Sequence, residues 1–243
     1  MAMETEHIVK GYDEELKNLD YMIAEMGGLV EAQLHAAVGA LLKFDRAKAE
    51  DVVKLDKRID ELESEIDHFA IKLIALRQPM ADDLRTIIAS LKISNNLERI
   101  GDYAKNIAKR SITLSQTELL PGPLGVIRSM VDIVEDMIRA VLDSYVGRDQ
   151  AKADNVRLRD EQVDQLHTGI FRELITYMME DPRNITACTH LMFIAKNIER
   201  MGDHTTNIAE YVHFIVVGEM PADERPKDDK TSSTGVLVSS DEI

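Results

Sequence analysis

The amino-acid sequence predicts an all-α protein, six long helices forming two pseudo-symmetric three-helix bundles. Three observations predict it: where the prolines fall, how the apolar residues between them are spaced, and an internal repeat. Proline removes a backbone donor and clashes with the preceding turn, so it marks where long helices stop. The six prolines of the 243-residue chain stand at 79, 121, 123, 182, 221 and 226. Between them the apolar spacing is helical and predicts helices over 12–43, 46–77, 82–116, 124–146, 149–179 and 184–218. The first and fourth are expected to break at Phe44-Asp45 and Gly147.

The second helix shows the pattern best. Val52, Leu55, Ile59, Leu62, Ile66, Phe69, Leu73 and Leu76 alternate steps of three and four, the seam of a helix packed on neighbours. Val156, Val163, Leu166, Ile170, Leu174 and Tyr177 repeat most of it in the fifth helix. These stripes read as core packing.

The repeat is direct. Asn96-Leu-Glu-Arg-Ile-Gly-Asp102 aligns with Asn197-Ile-Glu-Arg-Met-Gly-Asp203 at an offset of 101, and Asn106-Ile-Ala108 with Asn207-Ile-Ala209. The second and fifth helices align at an offset of 104, which places Asp56 and Asp60 on Asp160 and Asp164. The chain therefore divides into a first three-helix repeat over 6–116, a linker over 117–123 and a second repeat over 124–219. Residues 220–243 are Pro, charge, Ser and Thr with few large side chains, and are expected to be a disordered acidic tail.

Composition narrows the function. Lys and Arg number 29 against 44 Asp and Glu, a formal charge of −15 that repels phosphate backbones and argues against a general nucleic-acid binder. A single cysteine, Cys188, forms no internal disulfide, and it suits a reducing, cytoplasmic compartment. The first 17 residues lack the basic start and apolar stretch of a signal peptide. No stretch approaches the roughly 18 apolar residues of a membrane span. No Gly-rich loop follows a strand, so a nucleotide site is unsupported. Cys188 reads as a packed side chain rather than a nucleophile.

The acids are not spread evenly. Glu98 and Asp102 lie four apart on one helix face, as do Asp56 and Asp60, Asp160 and Asp164, and Glu199 and Asp203. Like charges at this spacing cost a few tenths of a kcal/mol per pair. Gly101 and Gly202, inside long helices, each cost about 1 kcal/mol relative to Ala. Hairpin geometry gives the repeated choice a reason. Asp60 and Glu98 are equidistant from Pro79, and so are Asp56 and Asp102; Asp164 with Glu199, and Asp160 with Asp203, are centred between Asp181 and Pro182. Each half thus brings four carboxylates to one level, about 28 Å from its turn at 1.5 Å per residue.

Four carboxylates without enough fixed positive charge hold protons or a cation. Oxygen-only ligands suit hard cations such as magnesium, manganese, calcium or iron. Asn96, Asn106, Asn197, Asn207 and His204 are available as further ligands or supporting hydrogen-bond partners. The alternative is that Arg99, Arg200, Lys57, Lys105 or Arg159 pair with the acids as salt bridges.

At these residues the sequence resembles the PhoU family, accessory proteins of the bacterial phosphate-specific transport system. The repeated Asn-x-Glu-Arg-x-Gly-Asp motif carries the resemblance, together with Arg77-Gln-Pro79, Asp83-Leu-Arg85, Tyr177-Met-Met-Glu-Asp181 and Met26-Gly-Gly28. It spans roughly residues 6 to 220. It implies two three-helix bundles with paired metal sites that hold iron or zinc clusters in some relatives. Carried over, the metal positions are Asp56, Asp60, Glu98, Asp102, Asp160, Asp164, Glu199 and Asp203, with iron, zinc, manganese or magnesium as the cation. The resemblance also implies no enzymatic activity. The expected role is negative regulation of the phosphate-starvation regulon, linking a phosphate ABC transporter ATPase to a sensor histidine kinase. The helix seams leave room for a homodimer. Two other readings stand beside this one. The first is a purely structural helical adaptor. The second is a ferritin-like di-iron enzyme using Glu65/His68 and Glu210/His213, which is disfavoured because His68 faces away from its seam.

Overall fold

The computed structural model describes residues 2–116, 121–222 and 227–231. Among them are six α-helices and no strand: α1 Ala2–Lys43, α2 Arg46–Arg77, α3 Ala81–Leu114, α4 Pro121–Gly147, α5 Gln150–Glu180 and α6 Ile185–Val217. A single 3-10 turn, Pro182–Asn184, joins the last two. The expected boundaries agree to within about three residues except at the start of α1. Residues 117–120 of the expected linker lie outside the described residues. Pro121 and Pro123 stand in the first turn of α4 rather than before it, where a missing N–H leaves no helical bond unmade.

The duplication extends to the loops. Asp45 caps α2 by accepting from the backbone N of Lys48 at 3.0 Å, and Asp149 caps α5 by accepting from Lys152 N at 3.0 Å. Each cap follows a left-handed residue, Phe44 (φ 54°) in the first half and Arg148 (φ 50°) in the second. The same pair of closing bonds recurs, Asp45 N to Ala40 O and Asp149 N to Ser144 O, both 3.0 Å. The second break therefore falls at Arg148, one residue past the expected Gly147.

α1, α2 and α3 pack on one another, as do α4, α5 and α6; α3 against α6 and α1 against α4 join the halves. Among the described residues α2 and α5 touch helices of their own half only, so they are the outer members. One continuous core runs through both bundles, from Leu19, Ile59 and Ile100 to Val134, Val163 and Ile198. Cys188 lies inside it, completely buried.

The seam of α2 needs a correction. Leu55 is 56% exposed and Leu76 is 66% exposed. The buried line instead runs Val52, Asp56, Ile59, Leu62, Ile66, Ala70 and Leu73. At 100° per residue, Asp56 continues the Val52 face in a step of four while Leu55 swings to solvent. A carboxylate therefore takes a core position.

Candidate functional site

The two halves meet the predicted level pairing differently: Asp56 is joined with Asp102 in the first, and Asp164 lies near the charge of Asp203 in the second. In the first, the Lys105 ammonium on α3 donates to Asp56 on α2 and, at 2.5 Å, to Asp102 Oδ1 on its own helix. Asp56 is buried and also accepts from Gln33 Nε2 of α1 at 3.1 Å. Arg99 flanks the group, 3.6 Å from Glu98 Oε2 and 4.0 Å from Asp102 Oδ2. Burial, then the negative charges of Asp102 and Glu63, push the Glu98 carboxyl up to about 7. Burial works against the charge of Lys105, yet its hydrogen bonds to Asp102 and Asp56 hold its proton more tightly than usual. Asp60 is exposed at the rim.

In the second half Asp160, Asp164 and Glu199 are all buried and Asp203 is half-buried. Glu199 Oε2 pairs with Lys196 Nζ at 2.8 Å. Burial nevertheless raises the Glu199 carboxyl, against the pull of that lysine. Asp164 is raised by burial too, although its Oδ2 accepts from the backbone N of Asp228 at 2.9 Å.

The interior glycines fit this arrangement. A Cβ on Gly202 would lie 2.6 Å from Asp160 Oδ1. One on Gly101 would lie 3.1 Å from both Gln33 Oε1 and Ile59 Cδ1. Glycine lets the helix carrying the motif press against its partner at the level of the carboxylates.

Other expectations divide. Asn96, His204 and Asn207 meet one another. Asn96 Oδ1 lies 2.8 Å from His204 Nδ1 and accepts from Asn207 Nδ2 at 3.3 Å, tying α3 to α6. Of the anticipated salt-bridge partners, Lys105 and Arg99 reach a quartet, while Lys57 pairs with Glu61 and Arg159 with Asp136. The ferritin-like pairs point elsewhere. His68 is exposed with its Nδ1 2.6 Å from Ser64 O, and His213 Nδ1 sits 3.0 Å from Asp154. Among the described residues no three His, Cys, Asp or Glu side chains converge into a ready-made ion cage.

Sequence reasoning missed Gln33, Lys196, His167 and the 227–231 segment. Gln33 carried a signal, being a polar residue in the α1 line of Val30, Leu34 and Ala37. The tail carried none. Residues 227–231, expected to be disordered, lie instead along α5 and α6 over the second quartet, while 223–226 and 232–243 lie outside the described residues. Charge pairing and backbone hydrogen bonds hold the segment, which a reading of composition does not register.

The geometry can be compared with known proteins. The PhoU domain model matches twice, over residues 23–111 and 127–212. The phosphate-specific transport system accessory protein PhoU homolog of Rhizobium meliloti (strain 1021) is 48% identical over 97% of this chain and all of its own length. The homolog of the same name in Caulobacter vibrioides (strain NA1000 / CB15N) is 50% identical over 94% of this chain and 99% of its own. The crystal structure of PhoU from Pseudomonas aeruginosa superposes with a TM-score of 0.83, at 38% identity, covering 86% of this chain and 100% of that one. That of the phosphate transport system regulatory protein PhoU from Streptococcus pneumoniae reaches 0.81 at 28% identity, covering 86% and 99%. With the PhoU domain matched in both halves, the fold shared with PhoU crystal structures and relatives about half identical over nearly the whole length, the chain belongs to the PhoU family.

Proposed function

We propose that this chain is a non-enzymatic accessory protein of phosphate transport. In this reading it restrains the phosphate-starvation response on the cytoplasmic side by linking a phosphate ABC transporter to a sensor histidine kinase, and it works as a homodimer. The observation that carries the reading is that relatives about half identical over almost the entire chain bear the name of phosphate-specific transport accessory proteins. Two features support it. No helix among the described residues is long and apolar enough to cross a membrane, as befits a protein that docks on membrane partners without spanning the bilayer. The hairpin tips expose Leu76, Met80 and Leu84 in the first half and Met179 and Ile185 in the second, apolar side chains suited to another protein's surface. Cys188 offers no nucleophile, since it is buried and burial pushes its thiol up.

Metal binding at the two quartets is part of the same reading. The donors are all carboxylate oxygens, which fit a hard divalent cation. In the first quartet the Lys105 ammonium lies between Asp56 and Asp102, supplying the positive charge that a bound ion would otherwise supply. Asp56, Asp60, Glu98 and Asp102 would hold one ion, and Asp160, Asp164, Glu199 and Asp203 the other. A bound cation would neutralise the carboxylates and cross-link each helix pair. Lys105 also favours a second reading, a structural adaptor whose acids are simply salt-bridged.

The functional reading is tested by recovering the tagged chain from native membranes grown at high and at low phosphate. It predicts co-recovery of a phosphate transporter and a histidine kinase. Recovery of neither contradicts it.

A further inference from the structure

The two quartets are equivalent by sequence and unlike in their surroundings. At the repeat offsets, Lys105 of the first half corresponds to Thr206 of the second, so the second half lacks the lysine that bridges Asp56 and Asp102. Its place is taken from outside the repeat. Lys227 Nζ lies 3.4 Å from Asp203, the counterpart of Asp102. The Asp228 backbone N donates to Asp164 Oδ2 at 2.9 Å, and the Lys230 backbone N to Thr168 Oγ1 at 3.1 Å. Asp229 sits between Lys196 Nζ at 3.1 Å and His167 Nδ1 at 3.6 Å.

The residues that receive Asp229 differ between the halves. Lys196 corresponds to Asn95 and His167 to Glu63. At the equivalent place on the first quartet an aspartate would meet Glu63 and Asn95 instead of His167 and Lys196, so this segment is selective for the second half. Burial follows the same division. Asp164 and His167 are buried where their counterparts Asp60 and Glu63 are exposed and half-buried.

We propose that residues 227–231 form a built-in strap that competes with a divalent cation for the second quartet, while among the described residues the first quartet has no such strap. The proposal rests on the cation reading given above. Its physical basis is mutual exclusion. Asp164 Oδ2 and Asp203 Oδ1 are engaged by the strap, so an ion that coordinates these oxygens must displace it. An ion binding there displaces the strap and takes Asp229 away from Lys196 and His167, so occupancy of the second quartet is read out as release of the strap. The two sites of one duplicated protein then fill at different cation concentrations.

The test uses Glu98→Gln with Asp102→Asn, which disables the first quartet, as a common background. Manganese is titrated into three forms: the full chain, a chain ending at Ala222, and the full chain with Asp229→Ala, which loosens the strap without altering a quartet residue. A strap docked about nine-tenths of the time raises the apparent Kd about tenfold. Both altered forms should therefore bind manganese about tenfold more tightly than the full chain. Hydrogen exchange in the metal-free full chain should show protected amides at Asp228 and Lys230, with protection lost on adding manganese and in Asp229→Ala. Equal manganese affinity in the three forms overturns the strap and leaves the cation reading standing. Unprotected Asp228 and Lys230 amides in the metal-free full chain overturn it as well. Binding by none of the forms overturns both the strap and the cation reading at this quartet.

Discussion

Gly202 on α6 leaves no space for a side chain against Asp160 on α5: a Cβ there would lie 2.6 Å from the Asp160 carboxylate oxygen. Gly202→Ala adds about 1 kcal/mol of helix propensity but forces a buried carboxylate to shift, an overpacking cost of about 1–3 kcal/mol. A net loss of stability is expected. Gly28, exposed in α1 with nothing near its missing Cβ, makes the control. Gly28→Ala should raise Tm, and thermal melts of the two variants compare the signs directly.

Lys105 joins a buried carboxylate to a half-buried one across the α2–α3 contact. Lys105→Met should cost about 1–3 kcal/mol at neutral pH, because the buried Asp56 side chain loses its ammonium partner. Asp56→Asn should cost much less once Lys105 is already gone. A double-mutant cycle by chemical denaturation reads the coupling, and additive losses would show that the pair does not interact.

Glu98 makes stability depend on pH. Its folded-state carboxyl is pushed up to about 7 from an ordinary value of 4.5. The folded state therefore binds more protons than the unfolded chain between those values, and its stability falls as pH rises through that window. Glu98→Gln removes the effect. In chelator-treated protein it should match the parent near pH 4.5 and exceed it above pH 7, by on the order of 1–3 kcal/mol. Tm measured across this range checks the prediction; a constant gap would contradict it.

The matched caps give a further test. Asp45→Ala and Asp149→Ala each remove one side-chain acceptor from a helix start and should each cost about 1 kcal/mol. Similar losses are expected because the two loops share their left-handed residue and their closing bonds. Denaturant midpoints compare them.

Much of the helical frame was legible because proline and apolar spacing are local signals. Arg46–Arg77 was readable to the residue, since α2 lies between a capped loop and a proline turn. The pairing of Asp56 with Asp102 was legible from counting, because a helical hairpin obliges residues equidistant from its turn to share a level. Two things were hidden. Leu55 and Asp56 compete for one buried position, and only the packing of α1 and α3 decides for Asp56, with Gln33 arriving from a third helix to meet it. The landing of Asp228 on Asp164 joins residues 64 apart through a backbone N–H, which no side-chain pattern encodes.

The most direct test of the cation sites is metal content after purification without chelator. The parent chain is compared with the variant Asp60→Asn, Glu98→Gln, Asp164→Asn and Glu199→Gln, after confirming that both remain helical. Mass-spectrometric metal analysis should find bound metal in the parent and little in the variant. Equal metal content in the two would contradict metal binding at the carboxylate quartets and leave the salt-bridged adaptor in its place.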